Sequence, residues 1–334
     1  MMEAWQVTVN GEPIDAMGIA VLETPVPAPG EVLLRTRAVA LNFPDVLLAR
    51  GEYQVRPELP FTPGIELCAD VVALGEGVTN VSVGERVVAT HIGVMAEYVV
   101  VPARVVFSAP SALSDAEASA LMIGYQTGYF GLHRRANLQP GETLLVHAAA
   151  GGVGTAAVQL GKAAGATVIG VVGSDAKRQV ALDAGADLVI NRRDEDFVTM
   201  VNDFTQGRGA DVIYDPVGGE TFQRSTKCIA FEGRIIVVGF AGGEIQSARA
   251  NHALVKNYGI LGLHWGLYEK KAPHLIAEAH EELTRLANSG VIRPLISEVV
   301  DFEQAADAVQ RLADGTTVGR IAVRVSDPEV VATL

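Results

Sequence analysis

Cysteine is nearly missing from this chain: among 334 residues only Cys68 and Cys228 occur. Two thiols cannot build a disulfide framework, and their scarcity fits a reducing compartment, so a cytoplasmic setting is expected. Cations are also in short supply, with 26 Lys and Arg against 39 Asp and Glu and a formal net charge of −13. That balance argues against a general nucleic-acid or anionic-membrane surface, although a few local donors can still hold an anionic ligand. The N-terminus, Met1-Met2-Glu3-Ala4-Trp5-Gln6-Val7, has no basic stretch leading into an apolar run, and no secretory signal is expected. Residues 143–161 lack Asp, Glu, Lys and Arg and approach the length of a membrane span, but they hold Gly151, Gly152 and Gly154 mid-run. A strand, a glycine turn and a helix account for that stretch better than a bilayer does. Short-period repeats and low-complexity tails are absent as well.

What is present is globular: 49% hydrophobic and 19% charged residues, in a chain long enough for two domains. Up to about Phe107 the texture is β-rich, with short runs such as Glu31-Val32-Leu33-Leu34-Arg35-Thr36-Arg37, Ala69-Asp70-Val71-Val72-Ala73-Leu74 and Arg86-Val87-Val88-Ala89. Turn residues separate them, which predicts a barrel-like all-β domain. Ser114-Asp115-Ala116-Glu117 carries a helix start, with Ser114 as cap and Glu117 three residues on, and predicts a helix to Gly128 or beyond. Strand-like runs then recur at 143–147, 167–172, 188–190, 211–214 and 234–239, with helical runs such as 156–164 and 176–184 between them. That alternation is the signature of a parallel sheet with helices on both faces. Long helices at 271–289 and 302–313 and a strand at 320–325 close the chain.

The sharpest local motif is Leu144-Leu145-Val146-His147-Ala148-Ala149-Ala150-Gly151-Gly152-Val153-Gly154. It follows a strand and opens a helix, the context a dinucleotide fingerprint requires. Gly151 and Gly152 let backbone approach a pyrophosphate, Gly154 lets the helix pack close to the sheet, and the helix N-terminus offers free N–H donors. Ala150 and Val153 share that turn, while Ala149 stands where the first glycine of the pattern would be. A tight strand–helix turn without a ligand is the plainer alternative. At the end of the second strand an NAD site places an acidic side chain for the ribose 2′-hydroxyl. Here Val172 falls at that point, followed by Gly173, Ser174, Asp175, Lys177 and Arg178. A hydroxyl and cations suit a 2′-phosphate, so NADPH is the expected cofactor. Asp175 is the objection, since it could serve the ribose itself; Ser174 as a helix cap and Lys177 as a solvated cation is the other alternative.

Together these stretches resemble the quinone oxidoreductase, ζ-crystallin-like branch of the medium-chain dehydrogenase/reductases. Ala40-Leu41-Asn42-Phe43-Pro44-Asp45 is similar to that family's N-terminal active-site segment. Thr62-Pro63-Gly64-Ile65-Glu66, Gly75-Glu76-Gly77-Val78 and Val83-Gly84-Glu85-Arg86-Val87 resemble its GroES-like barrel. Gly151-Gly152-Val153-Gly154, Gly185-Ala186-Asp187, the run from Asp211 to Gly219, and Gly233-Arg234 resemble its cofactor domain. The resemblance implies an α/β architecture: a Rossmann-like doubly wound parallel sheet plus a GroES-like β-barrel-type domain. The expected division is 1–125 for the first catalytic segment, 126–264 for the Rossmann domain and 265–334 for a return segment completing the catalytic domain.

It also implies zinc-independent chemistry. Zinc-dependent relatives carry Cys where this chain has Asn42 and His where it has Ile65, and two cysteines cannot form a four-cysteine lobe. By the same resemblance, Asn42 and Tyr53 line the substrate pocket and Tyr53 offers a proton, Thr127 faces the nicotinamide, Gly239 and Phe240 run under its ribose, and His264 and Trp265 border the cleft. Relatives carry a Tyr after the Ile-Asn of the third strand. Here Arg192 follows Ile190-Asn191 and is a candidate 2′-phosphate contact. Arg320 resembles a terminal cation that reaches the cofactor. The implied reaction is NADPH-dependent hydride delivery to a quinone or other conjugated carbonyl, without zinc or flavin, by a homodimer joined near residues 258–263. An enoyl-CoA or enoyl-thioester reductase with the same cofactor is the alternative enzyme, and a non-catalytic NADPH-binding scaffold the alternative of a different class. The expected partner is a small-molecule quinone or enone, with no nucleic acid and no membrane.

Overall fold

The computed structural model describes residues 1–325, which fold as two compact units. The strands in chain order are β1 (Met2–Val7), β2 (Met17–Leu22), β3 (Glu31–Ala40), β4 (Glu66–Leu74), β5 (Arg86–Thr90), β6 (Tyr98–Pro102) and β7 (Val106–Ser108). They continue with β8 (Thr143–His147), β9 (Thr167–Val172), β10 (Leu188–Asn191), β11 (Ala210–Asp215), β12 (Ile229–Val237) and β13 (Gly259–Gly262). The last two are β14 (Ile296–Asp301) and β15 (Arg320–Arg324).

The first unit comprises Met1–Ile123 and the chain from Ile296 on. Its main sheet runs β14-β15-β3-β4-β5-β7, with β6 paired to β3, and β1 and β2 form a separate hairpin. The C-terminal segment returns here because β15 completes the sheet: Ala322, Val323 and Arg324 lie antiparallel opposite Ala40, Val39 and Ala38 of β3. Trp5, Leu34, Leu67, Val87, Met95, Phe302, Val309 and Val323 share one apolar core, and the Trp5 indole N–H donates to the Phe302 carbonyl at 2.9 Å. Burying a large aromatic is tolerated when its polar atom keeps such a partner.

The second unit, Gly124–Leu295, is built on a six-stranded parallel sheet of order β10-β9-β8-β11-β12-β13. All five residues of β8 are buried, as are five of the six in β9, the near-continuous burial of a parallel sheet covered on both faces. The chain turns direction between β8 and β11, the topological switch point at which α/β sheets open a crevice. Among the described residues no helix is long and apolar enough to cross a membrane.

The structure differs from the sequence-based expectations at the return to the first unit and at the helix that starts at Ser114, among other element bounds. The return to the first unit starts at Ile296, not at 265. Helices Gly266–Lys271 and Pro273–Asn288 belong to the second unit, where Ile276, Ala279 and Leu283 are buried and Gln126 donates to the Ile276 carbonyl at 3.0 Å. Amphipathic helices record which face is buried, but not which unit buries it. The helix starting at Ser114 also stops early. Its capping box forms, with Ser114 and Glu117 exchanging hydrogen bonds, but it ends at Ser119 and a second helix, Met122–Tyr129, continues into a π-turn at Phe130–Arg135.

Candidate functional site

Apart from Thr127 and Arg320, the cofactor residues expected from the sequence follow strands of the parallel sheet at one edge. The glycine turn follows β8, Ser174 and Lys177 follow β9, Arg192 follows β10, Gly239 and Phe240 follow β12, and His264 and Trp265 follow β13. This is the carboxyl edge, where open α/β sheets bind ligands. The turn itself is tight. Ala148 takes a left-handed conformation (φ 50°), the Gly151 N–H donates to its carbonyl at 2.9 Å, and Ala149 N–H donates to Val171 O at 3.0 Å. Gly151 is the N-cap of helix Gly152–Ala163 and offers no side-chain cap, so the first-turn N–H groups, which have no intrahelical partner, keep their donors for a ligand. A Cβ on Gly154 would lie 2.1 Å from the Ala148 carbonyl oxygen, so only glycine permits this close approach. The alanine in place of the first glycine is accommodated from the neighbouring strand: a Cβ on Gly170 would come within 2.9 Å of the Ala149 Cβ. Gly170 is a site residue that sequence reasoning passed over, although a glycine inside a strand signals a close backbone approach.

The corner after β9 is cationic. Val172 is buried and its carbonyl accepts the Arg192 N–H at 3.0 Å. The Lys177 ammonium is pulled below its ordinary value, by partial burial first and then by Arg193 and Arg192. Those two causes place three cations in one neighbourhood. Ser174 precedes a short 3-10 turn without capping it through its side chain, and Arg192 makes no ion pair among the described residues. Asp175, the acidic rival for the ribose, is occupied otherwise: Arg178 donates to it at 2.7 Å and Asn191 at 3.1 Å. Thr127 lies buried in helix Met122–Tyr129, Phe240 is 40% exposed, His264 is exposed and Trp265 is 9% exposed, its indole N–H without a partner among the described residues. The turn, the uncapped helix and the cationic corner fit a phosphorylated dinucleotide.

In the first unit a second cluster forms around Asn42, at the start of helix Phe43–Arg50. The Asn42 side chain donates to Ala40 O at 3.0 Å and to Glu66 at 2.8 Å, and accepts from Arg320 at 2.7 Å. Arg320 pairs with Glu66 and donates to Ala120 O at 2.8 Å, while Glu66 also accepts the Ile123 N–H at 2.8 Å. Arg320, expected to reach a cofactor, thus has its guanidinium turned into a buried network, 6% exposed against 0% for Glu66. Asn42 likewise spends its amide on this network. Ile65 is buried beside them, and among the described residues no three His, Cys, Asp or Glu side chains stand together as a metal site. Sequence reasoning assigned no role to Glu66 or Asp45. The available signal was an acid standing at the head of an apolar strand, since unpaired charges are almost never buried.

Asp45 accepts the Asn42 N–H at 2.8 Å, and the Gly64 backbone N–H also faces its carboxylate. Burial pushes this carboxyl up to about 7, with the Glu66 charge adding to the rise and Arg320 opposing it. Tyr53, half-buried just past the end of the same helix, has its hydroxyl raised by burial and then by Asp45. A folded chain that keeps a proton which an unfolded Asp, at its ordinary 3.8, has already lost becomes less stable as pH rises between the two values. The Asp45 contribution to stability is therefore expected to be lost from about pH 4 to about pH 7, so that Asp45→Asn shifts the slope of stability against pH upward by up to about 1.4 kcal/mol per pH unit relative to the parent. Chemical denaturation of both proteins across this range checks it, and parallel curves would refute the protonated state.

Two sequence families match the chain. Residues 28–111 match the alcohol dehydrogenase GroES-like domain and residues 152–283 match the family described as zinc-binding dehydrogenase. A quinone oxidoreductase-like protein 2 homolog of Nematostella vectensis is 40% identical over 300 residues, 88% of this chain and 81% of that protein. The chain belongs to the quinone oxidoreductase family of medium-chain dehydrogenase/reductases. As a member of that family it is an oxidoreductase, with the α/β architecture and GroES-like domain that the sequence implied. Two solved oxidoreductase structures overlie it closely. A probable oxidoreductase from Mycobacterium abscessus is 35% identical with a TM-score of 0.89, covering 97% of this chain and 99% of that one. The Escherichia coli quinone oxidoreductase complexed with NADPH is 30% identical with a TM-score of 0.90, covering 97% and 100%.

Proposed function

We propose that this quinone oxidoreductase-family protein is an NADPH-dependent reductase that delivers hydride to a quinone or other conjugated carbonyl acceptor, without zinc or flavin. The observation that carries the reading is the uncapped helix Gly152–Ala163 behind a turn only Gly154 can close, beside a corner holding Lys177, Arg192 and Arg193. The NADPH named with the Escherichia coli relative supports the same cofactor here.

NADPH supplies a hydride for an electron-poor carbon, and the protein contributes binding, orientation and charge stabilisation. The N–H groups of Gly152, Val153 and Gly154 hold the pyrophosphate, with Ala150 and Gly151 shaping its approach. Ser174, Lys177 and Arg192 take the 2′-phosphate. Thr127, Gly239, Phe240, His264 and Trp265 line the nicotinamide end. On the first unit, Tyr53 gives a proton to the reduced acceptor's oxygen, and its half-buried hydroxyl stays protonated for that task. Asn42 is better read as holding that segment in place, because its amide is consumed by Glu66, Arg320 and Ala40. With Cys in the zinc-ligand position replaced by Asn42 and His by Ile65, an acceptor already polarised by conjugation is favoured over a simple ketone.

The test is NADPH oxidation by the purified protein with 1,2-naphthoquinone and with an enoyl-CoA. Turnover of the quinone is expected; turnover of the enoyl thioester alone would move the acceptor class, and NADPH binding without any turnover would leave a scaffold. Lys177→Ala and Arg192→Ala are each expected to weaken NADPH about tenfold or more while leaving NADH nearly unchanged, since each removes a charge-assisted hydrogen bond to the phosphate alone. Equal losses for the two cofactors would count against the phosphate corner.

The homodimer belongs to the same reading. β13 is an edge strand, and Leu254 and Val255 on the preceding helix are 76% and 74% exposed, surface that a second copy would cover. Sedimentation velocity is expected to give a dimer, and Ile260→Pro to give a monomer. A cytoplasmic setting fits the two free, buried cysteines.

A further inference from the structure

The last residues of β8 and β11 form a pair that the reduction itself does not use. Val146 lies opposite Tyr214 in the parallel register, so His147 and Asp215 follow side by side on the other face of the sheet. Both are 1% exposed, and the His147 ring packs edge-on against Phe197 with centroids 5.0 Å apart. Asp215 Oδ1 accepts two backbone N–H groups, from Val217 at 2.8 Å and Gly218 at 3.0 Å. His147 Nε2 lies 2.8 Å from Ser225 Oγ, and that hydroxyl spends its own hydrogen on Thr221 O at 2.8 Å. Nε2 must therefore carry the imidazole hydrogen, and Nδ1 is left as a bare acceptor. Burial drives this imidazole down to about 4, so a second ring proton is not available to change that.

Two buried acceptors thus remain at the ends of adjacent strands, His147 Nδ1 and Asp215 Oδ2; neither has a partner among the described residues, and the Asp215 charge is near enough to act on the imidazole. A buried acceptor without a donor is costly, and polar groups too far apart for a direct bond are commonly joined through water. A molecule with two hydrogens satisfies both acceptors at once.

We propose that His147 and Asp215 bind one internal water molecule between Nδ1 and Oδ2, and that Asp215 so fixed is a positioning residue for the cofactor-binding edge. The consequence runs through backbone. Asp215 anchors the N–H groups of Val217 and Gly218, while the carbonyls of Pro216 and Val217 accept Ala241 N–H at 3.0 Å and Gly242 N–H at 2.9 Å. Those bonds hold the segment carrying Gly239 and Phe240. A Cβ on Gly218 would come within 3.0 Å of the Phe240 ring, so the two loops have no slack between them. The assignment of that segment to the nicotinamide end rests on the NADPH reading above.

A crystal structure resolving ordered water, with NADPH binding and kinetics of Asp215→Ala, Asp215→Asn and His147→Leu, tests the proposal. Asp215→Asn keeps one oxygen for the two N–H groups and places hydrogens towards His147 Nδ1, so it is expected to bind NADPH within about threefold of the parent. Asp215→Ala and His147→Leu are expected to raise the NADPH KM and Kd about tenfold with kcat changed much less. A merely structural role would lower thermal stability without separating KM from kcat and without rescue by Asn. The proposal is overturned if no water bridges the two atoms, or if Asp215→Ala binds NADPH as the parent does. A parent protein that binds no NADPH overturns the cofactor reading instead, and the water is then decided by the crystal structure alone.

Discussion

Gly154→Ala is expected to raise the Kd for NADPH by about 100-fold, about 2.7 kcal/mol, while leaving the sheet folded. The added Cβ would meet three backbone atoms: Ala148 O at 2.1 Å, Ala148 C at 2.8 Å and Ala149 Cα at 2.9 Å. Side chains can swing aside, but a carbonyl that already accepts the Gly151 N–H cannot move without opening the turn. The helix N-terminus must then withdraw, taking with it the N–H groups that meet the pyrophosphate. Gly18→Ala is the control, because a Cβ there has nothing within 4 Å. Titration of cofactor fluorescence reports binding, and far-UV circular dichroism reports the fold. Affinity of Gly154→Ala within threefold of the parent would mean that the turn is not the phosphate cradle.

Arg320→Met is expected to destabilise the first unit by about 3–5 kcal/mol, the cost of leaving one member of a buried ion pair uncompensated. Glu66 is completely buried, and Asn42 and the Ile123 N–H cannot by themselves neutralise it. Trp5 lies in the core of that unit, so its fluorescence in a Trp265→Phe background follows the unfolding. Adding Glu66→Gln should recover much of the loss, because the two substitutions remove one interaction and are not additive. A loss below about 1 kcal/mol, accompanied by weakened NADPH binding, would return Arg320 to the cofactor-contact role that family resemblance suggested.

Much of this site was legible from residue order. The glycine turn falls where the strand-to-helix pattern put it, and β8 and β9 occupy the expected residues, because parallel strands buried on both faces leave an uninterrupted apolar run. The capping box at Ser114 was legible for a similar reason: its partners are three residues apart. Glu66, Asp45 and Arg320 were not, since the ion pair joins residues 254 positions apart. Gly170 escaped for the same cause, as its neighbour Ala149 lies in the turn after another strand, β8.

The sequence by itself determined the fold class, the glycine turn and the family, because each depends on local periodicity, turn chemistry or motif order. Only the tertiary structure decided that residues 266–295 stay with the second unit, that Asn42 and Arg320 face an interior network, and that His147 and Asp215 end side by side. Those outcomes depend on strand register and on which distant groups neutralise one another, and neither leaves a trace in the spacing of residues along the chain.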